Sequence, residues 1–99
     1  MARYRIENTI VDTENATKEW KQSTYWDGHN HVSKATGSQW IDQGLYRSRK
    51  GRYYTVTSPR IDGQRYARWL SPQEATMWLL NNGHEATEDL EQYLDEVSE

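Results

Sequence analysis

His29 and His31 flank Asn30, with Asp27 close before them. Two imidazoles and a carboxylate can ligate zinc or another transition metal. On a strand, residues two apart face the same side. That spacing also arises by chance, the chain has no cysteine to support it, and no fourth ligand is identifiable. His84 would serve only if the fold brought it close. No metal site is assigned. Ser, His, Asp and Glu are all present, as in most proteins. No nucleophile elbow, phosphate loop, paired-histidine zinc helix or dinucleotide fingerprint accompanies them. A chain of 99 residues also has little room for a deep cavity. No catalytic residue and no cofactor is therefore expected.

Charge is the more informative feature. From Gln43 to Leu70 the basic residues are Arg47, Arg49, Lys50, Arg52, Arg60, Arg65 and Arg68, against the single acid Asp62. From Ser71 to Glu99 there are eight acids and no Lys or Arg. Arg47, Arg49, Lys50, Arg52 and Arg60 beside Tyr46, Tyr53 and Tyr54 suit nucleic acid: cations contact phosphates and tyrosines stack on bases. A sequence pI near 5.6 argues against a dedicated nucleic-acid protein. Glu88, Asp89, Glu91, Asp95 and Glu96, with Glu85 and Glu99, can instead present an anionic track to a basic partner surface. The plain alternatives are a solvated helix face and arginines that solubilise a sheet. The two halves can also pair with each other, within one chain or between the chains of a homodimer, at about 0–1 kcal/mol per exposed pair.

Five Trp and seven Tyr compensate for a chain with no Phe and only 14 Leu, Ile and Val. Each aromatic ring can bury about 150–250 Å², so most of them should be core. Trp26 is the exception. It sits in the polar stretch Ser23–Ser38 and is expected to be partly exposed, as an anchor for a protein partner.

The elements that would position these groups follow from local pattern. Tyr4 to Val11 reads as a strand, with Ile6 and Ile10 at one parity. Asp12 or Thr13 can cap a helix in which Ala16 and Trp20, four apart, share the inner face. Ser23 to Ser38 reads as a loop with a turn at Asp27-Gly28. Trp40–Ser48 and Arg52–Thr57 read as a hairpin turning at Lys50-Gly51. Leu45 and Arg47 would then point to one face and Tyr46 to the other; Tyr54 and Val56 would share a face opposite Tyr53 and Thr55. Gln64–Leu70 can follow as a further strand after an Asp62-Gly63 turn. Ser71-Pro72-Gln73-Glu74 is a capping box with proline at the first helical position, and Gly83 is a natural stop. A last helix begins near Thr87 with Leu90, Tyr93, Leu94 and Val97 on one stripe. The expected order is β-α-β-β-β-α-α: one α+β domain over residues 1–99 with about four antiparallel strands and three helices, all on one face of the sheet.

Leu45-Tyr46-Arg47-Ser48-Arg49-Lys50-Gly51-Arg52-Tyr53-Tyr54, then Trp69-Leu70-Ser71-Pro72-Gln73-Glu74-Ala75 with Trp78-Leu79, resemble a group of small bacterial and phage-associated accessory proteins. Val11-Asp12-Thr13-Glu14-Asn15-Ala16 is similar to theirs as well, so the resemblance runs over residues 6 to 94. The shared residues are structural, and no catalytic residue carries over. The chain departs from that pattern at Thr55-Val56-Thr57-Ser58-Pro59, where such proteins commonly have a segment with Gly and His. A function carried by that segment elsewhere would not transfer. The resemblance implies a phage or mobile-element inhibitor of a host defence complex, of the anti-CRISPR or anti-restriction type.

The expected function is thus a non-catalytic protein-interaction module, monomeric or homodimeric, with nucleic-acid binding by the basic hairpin as the alternative. The amino terminus lacks the apolar segment of a secretion signal. No apolar run approaches the ~20 residues of a membrane span. A cytoplasmic location is the default expectation.

Overall fold

In the computed structural model, residues 3–59 and 63–97 are described. The longest helix forms where its capping chemistry lies. Ser71 Oγ accepts from the Glu74 amide at 3.1 Å, and the Ser71 amide donates to Glu74 Oε1 at 3.0 Å. That reciprocal pair, with Pro72 at the first position, starts α1 (Pro72–Asn81). Gly83 stops it with φ 78, a conformation that side chains with a Cβ resist.

The helix packs on a four-stranded antiparallel sheet. Its strands are β3 (Lys18–Lys21), β6 (Ile41–Arg47), β7 (Tyr53–Pro59) and β8 (Tyr66–Leu70), in the spatial order β3-β6-β7-β8. Side chains alternate across a strand, so each strand serves two faces. Leu45 and Tyr53 point to the helix face, where they meet Ala75, Trp78, Leu79 and Leu90. Tyr54 and Val56 point to the other face and pack with Ile6 and Val11. Those two come from a separate hairpin, β1 (Arg3–Ile6) and β2 (Thr9–Asp12), which covers the side away from the helix. Tyr53 to Thr57 are consequently buried without a break. Fully burying a side chain such as Leu45 or Leu79 is worth roughly 1.5–3 kcal/mol, so this central strand secures both layers.

The class is α+β, but the expected count of about four strands and three helices is wrong. There are eight strands in three sheets and two α-helices among the described residues. The first expected strand is a hairpin that reverses at Glu7-Asn8, pairing Ile6 with Thr9. Val11 then takes the inner position, and Ile10 is 65% exposed. The expected helix through Ala16 and Trp20 is only a 3₁₀ turn (Thr13–Asn15) followed by β3. A spacing of four fits a strand as well as a helix, because it is also a multiple of two. The polar stretch 23–38 is not a loop throughout. It folds as a third, two-stranded sheet of β4 (Thr24–Trp26) and β5 (His31–Ser33). The last helix is a 3₁₀ segment (Glu88–Tyr93) leading into one α-turn, α2 (Leu94–Val97). Helical packing therefore covers one face of the main sheet and a β-hairpin the other. The Asp62 part of the expected turn lies outside the described residues. Among the described residues no helix is long and apolar enough to cross a membrane.

Two polar side chains fasten the layers. Gln22 donates to Asp42 Oδ1 at 2.8 Å, while its own oxygen accepts from the Ser33 hydroxyl at 2.6 Å and the Gln43 amide at 2.8 Å. Asn82, 2% exposed, donates to the Trp78 carbonyl at 2.8 Å and accepts from the Ser23 amide at 3.0 Å. The Ser23 hydroxyl donates to the Asn82 carbonyl. Buried amides with several partners hold adjoining elements in one register.

Candidate functional site

Three surfaces carry the residues singled out from the sequence. The first is the β4–β5 hairpin. Its turn is tightly made: Asp27 Oδ1 accepts from the His29 amide at 2.8 Å and the Asn30 amide at 2.7 Å. The Asp27 amide donates to the Asn30 carbonyl at 3.1 Å, and Gly28 supplies φ 106. The hydrogen bonds from Asn30 and then His29 hold the Asp27 carboxyl below the ordinary carboxylate range. Trp26 stands opposite His31 in the register, and their rings meet edge to face at 5.1 Å. Trp26 is 60% exposed and Tyr25 46%. Val32, across from Tyr25, is buried and ties the hairpin to the body. Trp40, expected in the core with the other tryptophans, is exposed as well. The His31 ring packs against Trp26, and His84 Nε2 hydrogen-bonds the Lys21 carbonyl at 2.8 Å. Among the described residues no three His, Cys, Asp or Glu side chains are grouped to hold a metal.

The second surface is a cleft of about 650 Å³ between the β1–β2 hairpin and the β6–β7 turn. Arg49, Lys50 and Arg52 line it from the turn, and Arg3 lines it from β1. Arg52 lies over the Trp69 indole, 3.8 Å from the ring centroid. Trp69 in turn meets the Tyr54 ring edge to face at 5.8 Å. Tyr54 is fully buried, and its hydroxyl has no hydrogen-bond partner among the described residues. Burial, reinforced by Tyr46 and Asp12, pushes that phenol up to about 12.

The basic candidates do not form one patch. Arg49, Lys50 and Arg52 share the cleft, whereas Arg47 turns to the helix side. Its Nη1 donates to Thr17 Oγ1 at 3.2 Å, and its Nε lies 3.7 Å from Asp89. Strand alternation separates them, because Arg47 shares its face with Leu45. Arg60 lies outside the described residues. Arg3 carries no local signal of this role in the sequence, since it reaches the cleft only through the β1–β2 hairpin.

The third surface is the acidic carboxy-terminal segment. Asp89, though exposed, is held by neighbours: Tyr53 Oη donates to it at 2.7 Å and Thr87 Oγ1 at 2.7 Å. Burial alone would raise its carboxyl, but those two hydroxyls and the Arg47 guanidinium outweigh it and hold it below the ordinary range. Glu96 accepts from Gln73 Nε2 at 2.8 Å. Glu88, Glu91 and Asp95 are exposed. Glu99 lies outside the described residues. The basic and acidic halves meet at Arg47–Asp89 and again at Arg68–Glu74, 3.5 Å apart.

Comparison of the chain with family models, curated proteins and solved structures gives no match.

Proposed function

We propose that the chain is a non-catalytic protein-interaction module whose β4–β5 hairpin anchors a protein partner. The observation that carries this reading is Trp26: a large aromatic, 60% exposed, on a hairpin already ordered by its own turn. Tryptophan and tyrosine dominate the energetics of protein interfaces. A preordered hairpin loses little conformational freedom on docking, so more of its contact energy appears as affinity. Glu88, Glu91 and Asp95 stay outward and would steer a basic partner toward the chain. Asp89 and Glu96, which are held by neighbours, contribute less to that steering. Within this class, inhibition of a host defence complex is the reading that the resemblance of residues 45–54 and 69–79 favours.

Capture from nuclease-treated host lysate would name the partner. Binding of that purified partner is then compared for the native chain and Trp26→Ala. The variant should keep its circular dichroism and lose affinity by more than about 2 kcal/mol, or roughly thirtyfold. A folded Trp26→Ala chain that binds with native affinity would remove the hairpin as the anchor.

A further inference from the structure

The basic cleft supports a second site, independent of the aromatic hairpin. Stacking on Trp69 holds the Arg52 guanidinium by its face and leaves its N–H edge directed elsewhere. Among the described residues that edge has no hydrogen-bond partner, and neither Arg49, Lys50 nor Arg52 makes an ion pair. The acid in the cleft wall, Asp12, is already engaged. Arg3 lies 3.5 Å from it, and the Glu14 amide donates to it at 3.0 Å. The turn that carries the three cations is also fixed. The Ser48 amide donates to the Arg52 carbonyl at 2.7 Å, and the Arg52 amide donates to Ser48 Oγ at 3.1 Å. Gly51, at φ 87, closes it.

Like charges held together on a rigid turn repel one another until an anion arrives. A phosphate group answers that need best, because its oxygens can take a guanidinium edge in two parallel charge-assisted bonds. Ile10 and Trp69 add apolar wall beside the cations, which suits an organic ester. We infer that this cleft binds the phosphate of a phosphate ester, with Arg52 as the bidentate anchor and Arg49 and Lys50 as neutralising cations. A free nucleotide and a strand of nucleic acid share that chemistry.

The test titrates the isotope-labelled full chain at low salt with thymidine, thymidine monophosphate and a short oligodeoxythymidine, read by amide and indole NMR. Both phosphate-bearing probes should shift the amides of residues 48–52 and the Trp69 indole N–H, and thymidine should not. Arg52→Gln and Arg49→Gln should each weaken binding about tenfold. Arg68→Gln removes the same charge outside the cleft and should change it by less than about twofold. Among the described residues Arg49 is exposed and makes no hydrogen bond or ion pair, so its variant reports on binding even if Arg52→Gln repacks Trp69. An oligonucleotide bound at least about tenfold tighter than the monophosphate, with affinity falling steeply in salt, identifies nucleic acid as the source. Equal affinities identify a free ester. No saturation by either phosphate at millimolar concentration overturns the proposal. So does an equal response to thymidine, or an equal loss in Arg68→Gln and Arg49→Gln.

Discussion

The Asn82 side-chain oxygen accepts a hydrogen bond from the Ser23 amide at 3.0 Å, linking the end of α1 to the residue before β4. This contact, with the Ser23 hydroxyl on the Asn82 carbonyl, seats the aromatic hairpin on the helical layer. Asn82→Ala should therefore cost about 2 kcal/mol or more, since it strands a part-buried amide and removes two hydrogen bonds. Hydrogen exchange should show the loss of protection concentrated in residues 23–34. Uniform loss across the chain, or none, would show that Asn82 is not the fastener of that hairpin.

Glu7 is the one non-glycine residue with positive φ among the described residues, at 57°. It occupies the two-residue turn between β1 and β2, where glycine meets no Cβ penalty. Glu7→Gly should raise stability by about 1 kcal/mol. Denaturant midpoints of the two chains measure this directly, and a lower midpoint would contradict it.

Tyr54 buries a hydroxyl that has no partner among the described residues. Tyr54→Phe removes that unsatisfied group and should stabilise the fold by about 1 kcal/mol. Because burial raises its phenol to about 12, the folded chain keeps the proton where an unfolded tyrosine, near pKa 10, gives it up. The corresponding stability is complete below pH ~10 and is lost as pH rises toward 12. Ultraviolet titration should show a tyrosine fraction that ionises only with alkaline unfolding, and Tyr54→Phe should reduce it. Titration of every tyrosine near pH ~10 with the fold intact would refute this assignment.

Asp89 and Glu74 are both held below the ordinary carboxylate range, Asp89 by Thr87 and Tyr53 against the opposing effect of burial, Glu74 first by the Ser71 amide. Near pH ~4 the folded chain therefore binds fewer protons than the unfolded chain. Their contribution is present above that pH and disappears as pH falls through the depressed folded values. Asp89→Asn should be less stable than the native chain at neutral pH by about 1 kcal/mol and should lose less on acidification. Denaturation at pH ~7 and pH ~3 gives the comparison. An unchanged difference between the two chains would mean that Asp89 does not titrate with folding.

Part of this arrangement can be read directly from the amino-acid order. The capping box is legible because its partners are three residues apart and act without tertiary help. The alternation of Tyr53 and Tyr54 is legible because β6 and β7 each run for seven residues. Trp20 lies on β3 and not on a helix, and a single pair four apart does not separate the two periods. β4 and β5 are not legible because three residues are too few to show an alternation, although the Asp27-Gly28 turn is. Leu90 and Tyr93, three apart, line up in a 3₁₀ segment as well as in an α-helix, so their spacing fixes the stripe and not the helix type. The basic cleft was half legible. Its turn is local, but its other wall comes from a hairpin whose Glu7-Asn8 reversal carries no glycine.

β3 forms one border of the main sheet, and among the described residues no strand pairs with its outer side. A bare border is a template on which another molecule can add a strand and begin a fibril. This one is only four residues long, and Lys18, Glu19 and Lys21 are all exposed along it. An incoming strand would have to bring its own side chains against those charges for the sake of few backbone bonds. At this border, shortness and charge together oppose the addition of a further strand.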